Sequence, residues 1–192
     1  MAAPHHYPSS ATRRVVRVLV ALVLAGVGVG AVATPAHAAV WWTNTTDGFE
    51  YNPASVWNFD GEGGHVGWFS NDAAYSHGGT GAAWLYQYDP GWSSVGRPVF
   101  INTALAYPVG CMATFYLRSD TSSVVNVEVI DPNTWTYIAL NQVTTSPTWR
   151  SYSVGSWQVN QLNVFVRVSA LQSASGGYSI VTVDDLSVAC FA

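Results

Sequence analysis

Leu162-Asn163-Val164-Phe165-Val166-Arg167-Val168-Ser169-Ala170 alternates strictly: Leu162, Val164, Val166 and Val168 fall on one side, Asn163, Phe165, Arg167 and Ser169 on the other. Successive side chains of a strand point to opposite faces, so this stretch reads as a strand with one face in a core and one in water. Cys111 to Arg118 repeats the pattern, with Ala113, Phe115 and Leu117 opposing Met112, Thr114, Tyr116 and Arg118. Further strand-like runs are Val66 to Phe69, Ala82 to Tyr88, Val99 to Leu105, Val124 to Ile130, Trp135 to Val143, Trp149 to Val154 and Tyr178 to Val188. Glycine- and proline-bearing turns separate them, among them Asp60-Gly61-Glu62-Gly63-Gly64, His77-Gly78-Gly79-Thr80-Gly81 and Asp131-Pro132-Asn133. No segment keeps a helical period over several turns. The expectation is an all-β fold, a β-sandwich jelly roll of about nine to ten antiparallel strands.

The last run carries its own signature. Val181 and Val183 share one parity and Leu186 and Val188 the other, with Asp184-Asp185 between them. A β-bulge at the two aspartates returns both pairs to the core and aims a carboxylate inward or sideways.

Ahead of the sandwich stand Arg13, Arg14 and Arg17, an apolar and glycine run from Val18 to Ala33, and Ala36-His37-Ala38. A positive segment, an apolar segment and small residues before the cut are the three parts of an export signal, cleaved after Ala38. The apolar run reaches only about 24 Å, against about 30 Å for a hydrocarbon core. Adjacent arginines also resemble a twin-arginine signal, which leaves the export route open. The organisation expected is a signal peptide over residues 1–38, an N-terminal extension over 39–46 with Trp41-Trp42 as a mobile or docking segment, and the sandwich over 47–192, secreted and extracellular.

The mature part holds four arginines (Arg97, Arg118, Arg150, Arg167) and no lysine against eleven acids, a net charge near −7. That excludes nucleic acid and an anionic membrane as partners. Hydroxyls, amides and rings dominate instead, which suits a neutral polar ligand and a monomer. The two cysteines, Cys111 and Cys190, are expected to pair in an oxidising compartment. Closing so long a loop is worth roughly 4 kcal/mol in the chain-entropy model.

Several landmarks follow in order: Asp47-Gly48-Phe49-Glu50, then Ser76-His77-Gly78-Gly79-Thr80-Gly81 before a strand, Tyr107-Pro108-Val109-Gly110-Cys111 leading into Met112-Ala113-Thr114-Phe115-Tyr116-Leu117-Arg118, Pro147-Thr148-Trp149-Arg150-Ser151-Tyr152, and the closing Val181-Thr182-Val183-Asp184-Asp185-Leu186-Ser187-Val188. This order resembles the β-jelly-roll carbohydrate-binding modules of the galactose-binding-like superfamily, which accompany bacterial glycanases. The resemblance implies a structural calcium held by Glu50 and Asp184, with backbone oxygens of the His77 to Gly81 loop as further ligands. Carboxylates and carbonyls are the oxygens calcium takes.

Nine tryptophans and nine tyrosines lie in the mature chain. Sugar rings present flat C–H faces and a hydroxyl rim, so their sites pair an aromatic platform with amide or carboxylate partners. Trp84, Tyr86 and Tyr88 form a stripe stepping about 7 Å along one side of a strand, with Ala83, Leu85 and Gln87 on the other. The stripe is a platform if the smaller side is core, and is itself core if not; parity leaves both open. Trp92, Trp135 with Tyr137, and Trp157 are the other aromatic candidates. Asn126 and Glu128 share one side of their strand as hydrogen-bonding partners, and Trp57 and Trp149 are expected in the core.

An enzyme is not expected. The only glutamates are Glu50, Glu62 and Glu128, which leaves no rigid carboxylate pair for glycoside hydrolysis. His65 and His77 adjoin no nucleophile elbow, and zinc spacing, phosphate loop and dinucleotide fingerprint are missing. The function expected is a secreted, non-catalytic carbohydrate-binding module that recognises a neutral poly- or oligosaccharide by aromatic stacking. The alternative is a secreted or cell-surface protein-interaction domain, an adhesin or inhibitor, on the same fold.

Overall fold

The computed structural model describes residues 39–62, 66–87, 91–102, 110–171 and 178–192; the export signal, Tyr88 and His65 lie outside them. Eleven strands are described: β1 Trp41–Asp47, β2 Asn58–Gly61, β3 Val66–Asn71, β4 Gly81–Gln87, β5 Trp92–Phe100, β6 Gly110–Ser119, β7 Val124–Ile130, β8 Tyr137–Thr144, β9 Arg150–Trp157, β10 Asn163–Leu171 and β11 Ser179–Phe191. They form two antiparallel sheets, one in the order β2-β5-β10-β7-β8, the other β3-β4-β11-β6-β9 with β1 also on β11. The jelly-roll sandwich expected from the alternation is the fold observed. Its core lies between the sheets, where Ala113, Phe115 and Leu117 meet the row Val164, Val166 and Val168, all essentially without exposure.

β11 is the long central strand of its sheet. Its first half pairs β4, from Ser179↔Gln87 to Val183↔Ala83, and its second half pairs β1, from Asp47↔Leu186 to Trp41↔Phe191. The residues read as an N-terminal extension are therefore an integral strand. Against β6 the register slips at the acidic pair: Asp184 faces Tyr116 and Ser187 faces Thr114. This is the bulge the parity break predicts, with Asp185 in the left-handed region at φ 46°, which aspartate tolerates. Val181, Val183, Leu186 and Val188 all reach the core as a result.

Cys111 and Cys190 stand opposite each other on β6 and β11 and are joined by a disulfide. At the other end of the core Trp57, placed there as expected, stacks on Phe49 with centroids 4.4 Å apart, and its indole N–H donates to Asp47.

Candidate functional site

The outer face of the five-stranded sheet carries two polar rows across all its strands. One runs Asn58, Gly96, Arg167, Glu128, Leu140 and the next Asp60, Ser94, Ser169, Asn126, Gln142, each residue opposite the next in the ladder. Outward side chains on a pleated surface share a parity, so these rows form one floor. A groove of about 370 Å³ lies on it, lined by Asn58, Phe59, Asp60, Ser94, Gly96, Trp135, Phe165 and Arg167.

The groove walls are aromatic. Trp135, 63 % exposed, stands in the β7–β8 loop with its ring 5.5 Å from that of Phe165. Its backbone is left-handed at φ 55°, an uncommon state for a bulky residue. A short ladder holds that turn: the Trp135 N–H donates to the Asp131 carbonyl at 2.8 Å and the Asp131 N–H to the Thr136 carbonyl at 2.9 Å. The Asn133 amide donates to the Asp131 carboxylate and holds its pKa below the usual range. Gly96 lets Phe165 lie across β5, since a Cβ there would stand 2.5 Å from the Phe165 ring. On the far side the Arg167 guanidinium sits 5.5 Å above the Trp92 ring; Tyr137 of β8, opposite Ile130, is exposed but does not line the groove.

Glu128 corrects its expected role. Only 1 % of its side chain is exposed, and its Oε2 lies 2.5 Å from Arg167 Nε. Extended across the floor it would have met a ligand; buried beneath Arg167 it positions the guanidinium instead. Asn126 stays on the floor, half-buried, its Oδ1 accepting from Gln142 Nε2 at 3.1 Å. Sequence reasoning placed Phe165 and Arg167 on the wet side but did not single them out, and it passed over Asn58 and Asp60.

Trp84 and Tyr86 belong to the opposite face of the sandwich. Ala83 and Leu85 are fully buried, so the smaller side is core and the stripe is the outer surface of the six-stranded sheet. There Trp84 lies 5.3 Å from Trp68 and 5.0 Å from Tyr75, and Tyr86 lies 6.1 Å from Trp68. The aromatic candidates thus divide between two faces and cannot act as one site. Two further placements are corrected. Trp157 is buried, 4 % exposed, because a register irregularity between Cys111 and Met112 turns it inward. Trp149 is outside the core, packed by His77 at 5.6 Å and Arg118 at 5.1 Å.

Glu50, Asp184 and Asp185 converge near Gly48, at the β11 bulge. Asp184 accepts the amides of His77, Gly78 and Asp185, and Glu50 those of Thr80 and Gly81. The Gly81 amide, foremost, keeps the Glu50 pKa below its usual value. Burial pushes the Asp184 carboxyl up to about 6 against the pull of those amides. In a planar trans peptide the carbonyl points opposite to the N–H, so the carbonyls of His77, Gly79 and Thr80 are directed away from these carboxylates. Calcium held jointly by Glu50, Asp184 and those carbonyls does not fit this loop, whose amides already satisfy the acids. His77 closes the region, stacked 3.7 Å over Tyr116 with Nδ1 2.6 Å from Asp185.

No family model matches the chain, and no curated protein matches it in sequence. Solved structures do share the fold. A CBM61 module in complex with beta-1,4-galactotriose superposes with a TM-score of 0.53 at 14 % identity, over 73 % of this chain and 90 % of that one. The CBM22-1 xylan-binding domain from Paenibacillus barcinonensis gives 0.52 at 10 % identity, over 80 % and 97 %. The CBM22-1 and GH10 modules of a Clostridium thermocellum xylanase, complexed with xylohexaose, give 0.50 at 12 % identity, over 78 % of this chain and 28 % of that one. The fold is that of β-sandwich carbohydrate-binding modules.

Proposed function

We propose that the chain is an exported, non-catalytic carbohydrate-binding module, monomeric, whose ligand is a neutral oligo- or polysaccharide lying in the groove of the five-stranded sheet. The observation that carries this reading is the pairing of an exposed, turn-held Trp135 with a floor of short polar side chains. A pyranose stacks its C–H face on the indole, while Asn58, Asp60 and Arg167 meet its hydroxyls. The fold shared with modules solved with galactotriose and xylohexaose supports the same ligand class. Lack of catalysis is supported by the floor itself: hydrolysis asks for two free carboxylates about 5 to 9 Å apart, and Glu128 is committed to Arg167. Export rests on the arginine, apolar and Ala36-His37-Ala38 segments of the sequence.

The test is electrophoresis of the mature protein through native gels cast with xylan, galactan, mannan, β-glucan and cellulose or chitin derivatives, beside Trp135→Ala. Retardation by one polymer, lost in Trp135→Ala while the thermal melt is unchanged, establishes the groove and its ligand. Free migration through every polymer refutes the reading and leaves protein interaction as the function.

A further inference from the structure

The outer face of the six-stranded sheet holds a second cleft, on the side of the sandwich away from the groove. It measures about 190 Å³ and is lined by Tyr75, Trp84, Arg118, Ser119, Asp120, Pro147, Ile180 and Thr182. Its floor is one row of the ladder: Trp68 opposite Trp84, Trp84 opposite Thr182, Thr182 opposite Arg118. Neighbouring strands lie about 4.8 Å apart, so the row spans roughly 14 Å. From this row a chain of rings, Tyr75, Trp84, Trp68, Tyr86 and Tyr178, continues over the face at centroid separations between 5.0 and 6.2 Å.

Arg118 ends the row, and its partners are unlike those of Arg97 and Arg167. Arg97 is paired with Asp47 and Arg167 with Glu128. Arg118 lies 5.7 Å from the Tyr75 ring and 5.1 Å from the Trp149 ring, and no carboxylate pairs with it among the described residues. Two rings hold a guanidinium by its faces, through cation–π attraction, and leave its N–H edge available. That edge matches a carboxylate in two parallel hydrogen bonds. Asp120, the acid of the same cleft, is turned to the backbone, its Oδ1 accepting the amides of Thr121 and Ile180 at 2.8 Å each.

We infer that this cleft is a second, separate carbohydrate site selective for acidic sugars, in which Arg118 takes the carboxylate of a uronic acid residue and Trp84 with Tyr75 packs its ring. The chain then has two faces of different preference: a groove for neutral sugar and a cleft for uronate. The inference borrows the carbohydrate reading of the fold but not the groove, and the variants separate the two.

Intrinsic tryptophan fluorescence of the mature protein is titrated with galacturonate and glucuronate oligosaccharides, and with the same oligosaccharides as methyl esters. Binding of an acid form, weakened about tenfold or more by esterification and by Arg118→Gln, is expected from the loss of a charge-assisted bidentate contact. Trp135→Ala retains that binding, and Trp84→Ala loses it. The thermal melt of each variant reports folding. Equal affinity for acid and ester, an unaffected Arg118→Gln, or absence of binding by either acid overturns the inference. Loss in Trp135→Ala as well overturns it too, by assigning the sugar to the groove. Tight binding of acidic peptides in place of uronates in the same assay overturns the sugar assignment.

Discussion

Removing Arg167 destabilises the protein more than removing its partner, although the two form one ion pair. Glu128 has 1 % of its side chain exposed and Arg167 17 %. In Arg167→Leu the carboxylate stays enclosed without its counter-charge, a loss of about 3 to 5 kcal/mol. In Glu128→Leu the guanidinium keeps a path to water and the Trp92 ring 5.5 Å away, which together limit the loss to about 1 to 3 kcal/mol. The double variant leaves neither charge orphaned, so its loss falls below the sum of the singles by about 2 kcal/mol or more. Urea denaturation of the four proteins at neutral pH, disulfide intact, measures all three differences. Arg167→Leu costing no more than Glu128→Leu, or the two effects adding within about 0.5 kcal/mol, would refute the argument that Glu128 serves the fold and Arg167 the surface.

The raised carboxyl of Asp184, at about 6, makes stability depend on pH. The folded protein binds that proton more tightly than the unfolded chain, so the contribution is complete below about pH 4 and lost as pH rises through 6, about 3 kcal/mol in all; the wild-type minus Asp184→Asn stability difference, followed by urea melts, shows that fall, and a flat difference would contradict it. Reduction of Cys111–Cys190, whose partners lie 79 residues apart, lowers stability by about 4 kcal/mol, read from denaturation with and without dithiothreitol. Because amides satisfy Glu50 and Asp184, chelation leaves the melting temperature unchanged; a fall on chelation that calcium restores would return the metal to this loop.

Where alternation met a single continuous strand, the fold was legible. Val164, Val166 and Val168 named their own core face, and the parity break at Asp184-Asp185 located a bulge. Alternation separates two sides without saying which is inner. Trp84 and Tyr86 stayed ambiguous for that reason until Ala83 and Leu85 were seen buried. Single-residue slips were also invisible: the irregularity near Cys111 carried Trp157 inward, against its loop-like setting. β1 escaped notice because Thr43-Asn44-Thr45-Thr46 offers no apolar alternation, and its place is set by the edge of β11. The direction of peptide planes in the His77–Gly81 loop decides between amides and carbonyls, and residue types do not encode it. For the groove, Trp135 was visible as a residue type, whereas Asn58 and Asp60 emerge only when β2 is laid beside β5.

The pairing of β1 with the end of β11 also governs how the domain answers to tension. Val40 and Ala192 exchange both backbone hydrogen bonds at 3.2 Å, so a pull applied at these two points loads Trp41↔Phe191 first and opens the ladder one pair at a time, like a zipper. Such peeling yields at low force, since no two rungs share the load. It is β1 that comes away, as the bonds of Asn44 to Phe100 and Asn102 and of Asp47 to Arg97 and Trp57 give way in turn: Cys190, next to the point of attack on β11, is covalently tied to Cys111 on β6. The disulfide therefore acts as a mechanical stop, letting one strand detach as a shock absorber while both the groove and the acidic-sugar cleft stay whole behind it.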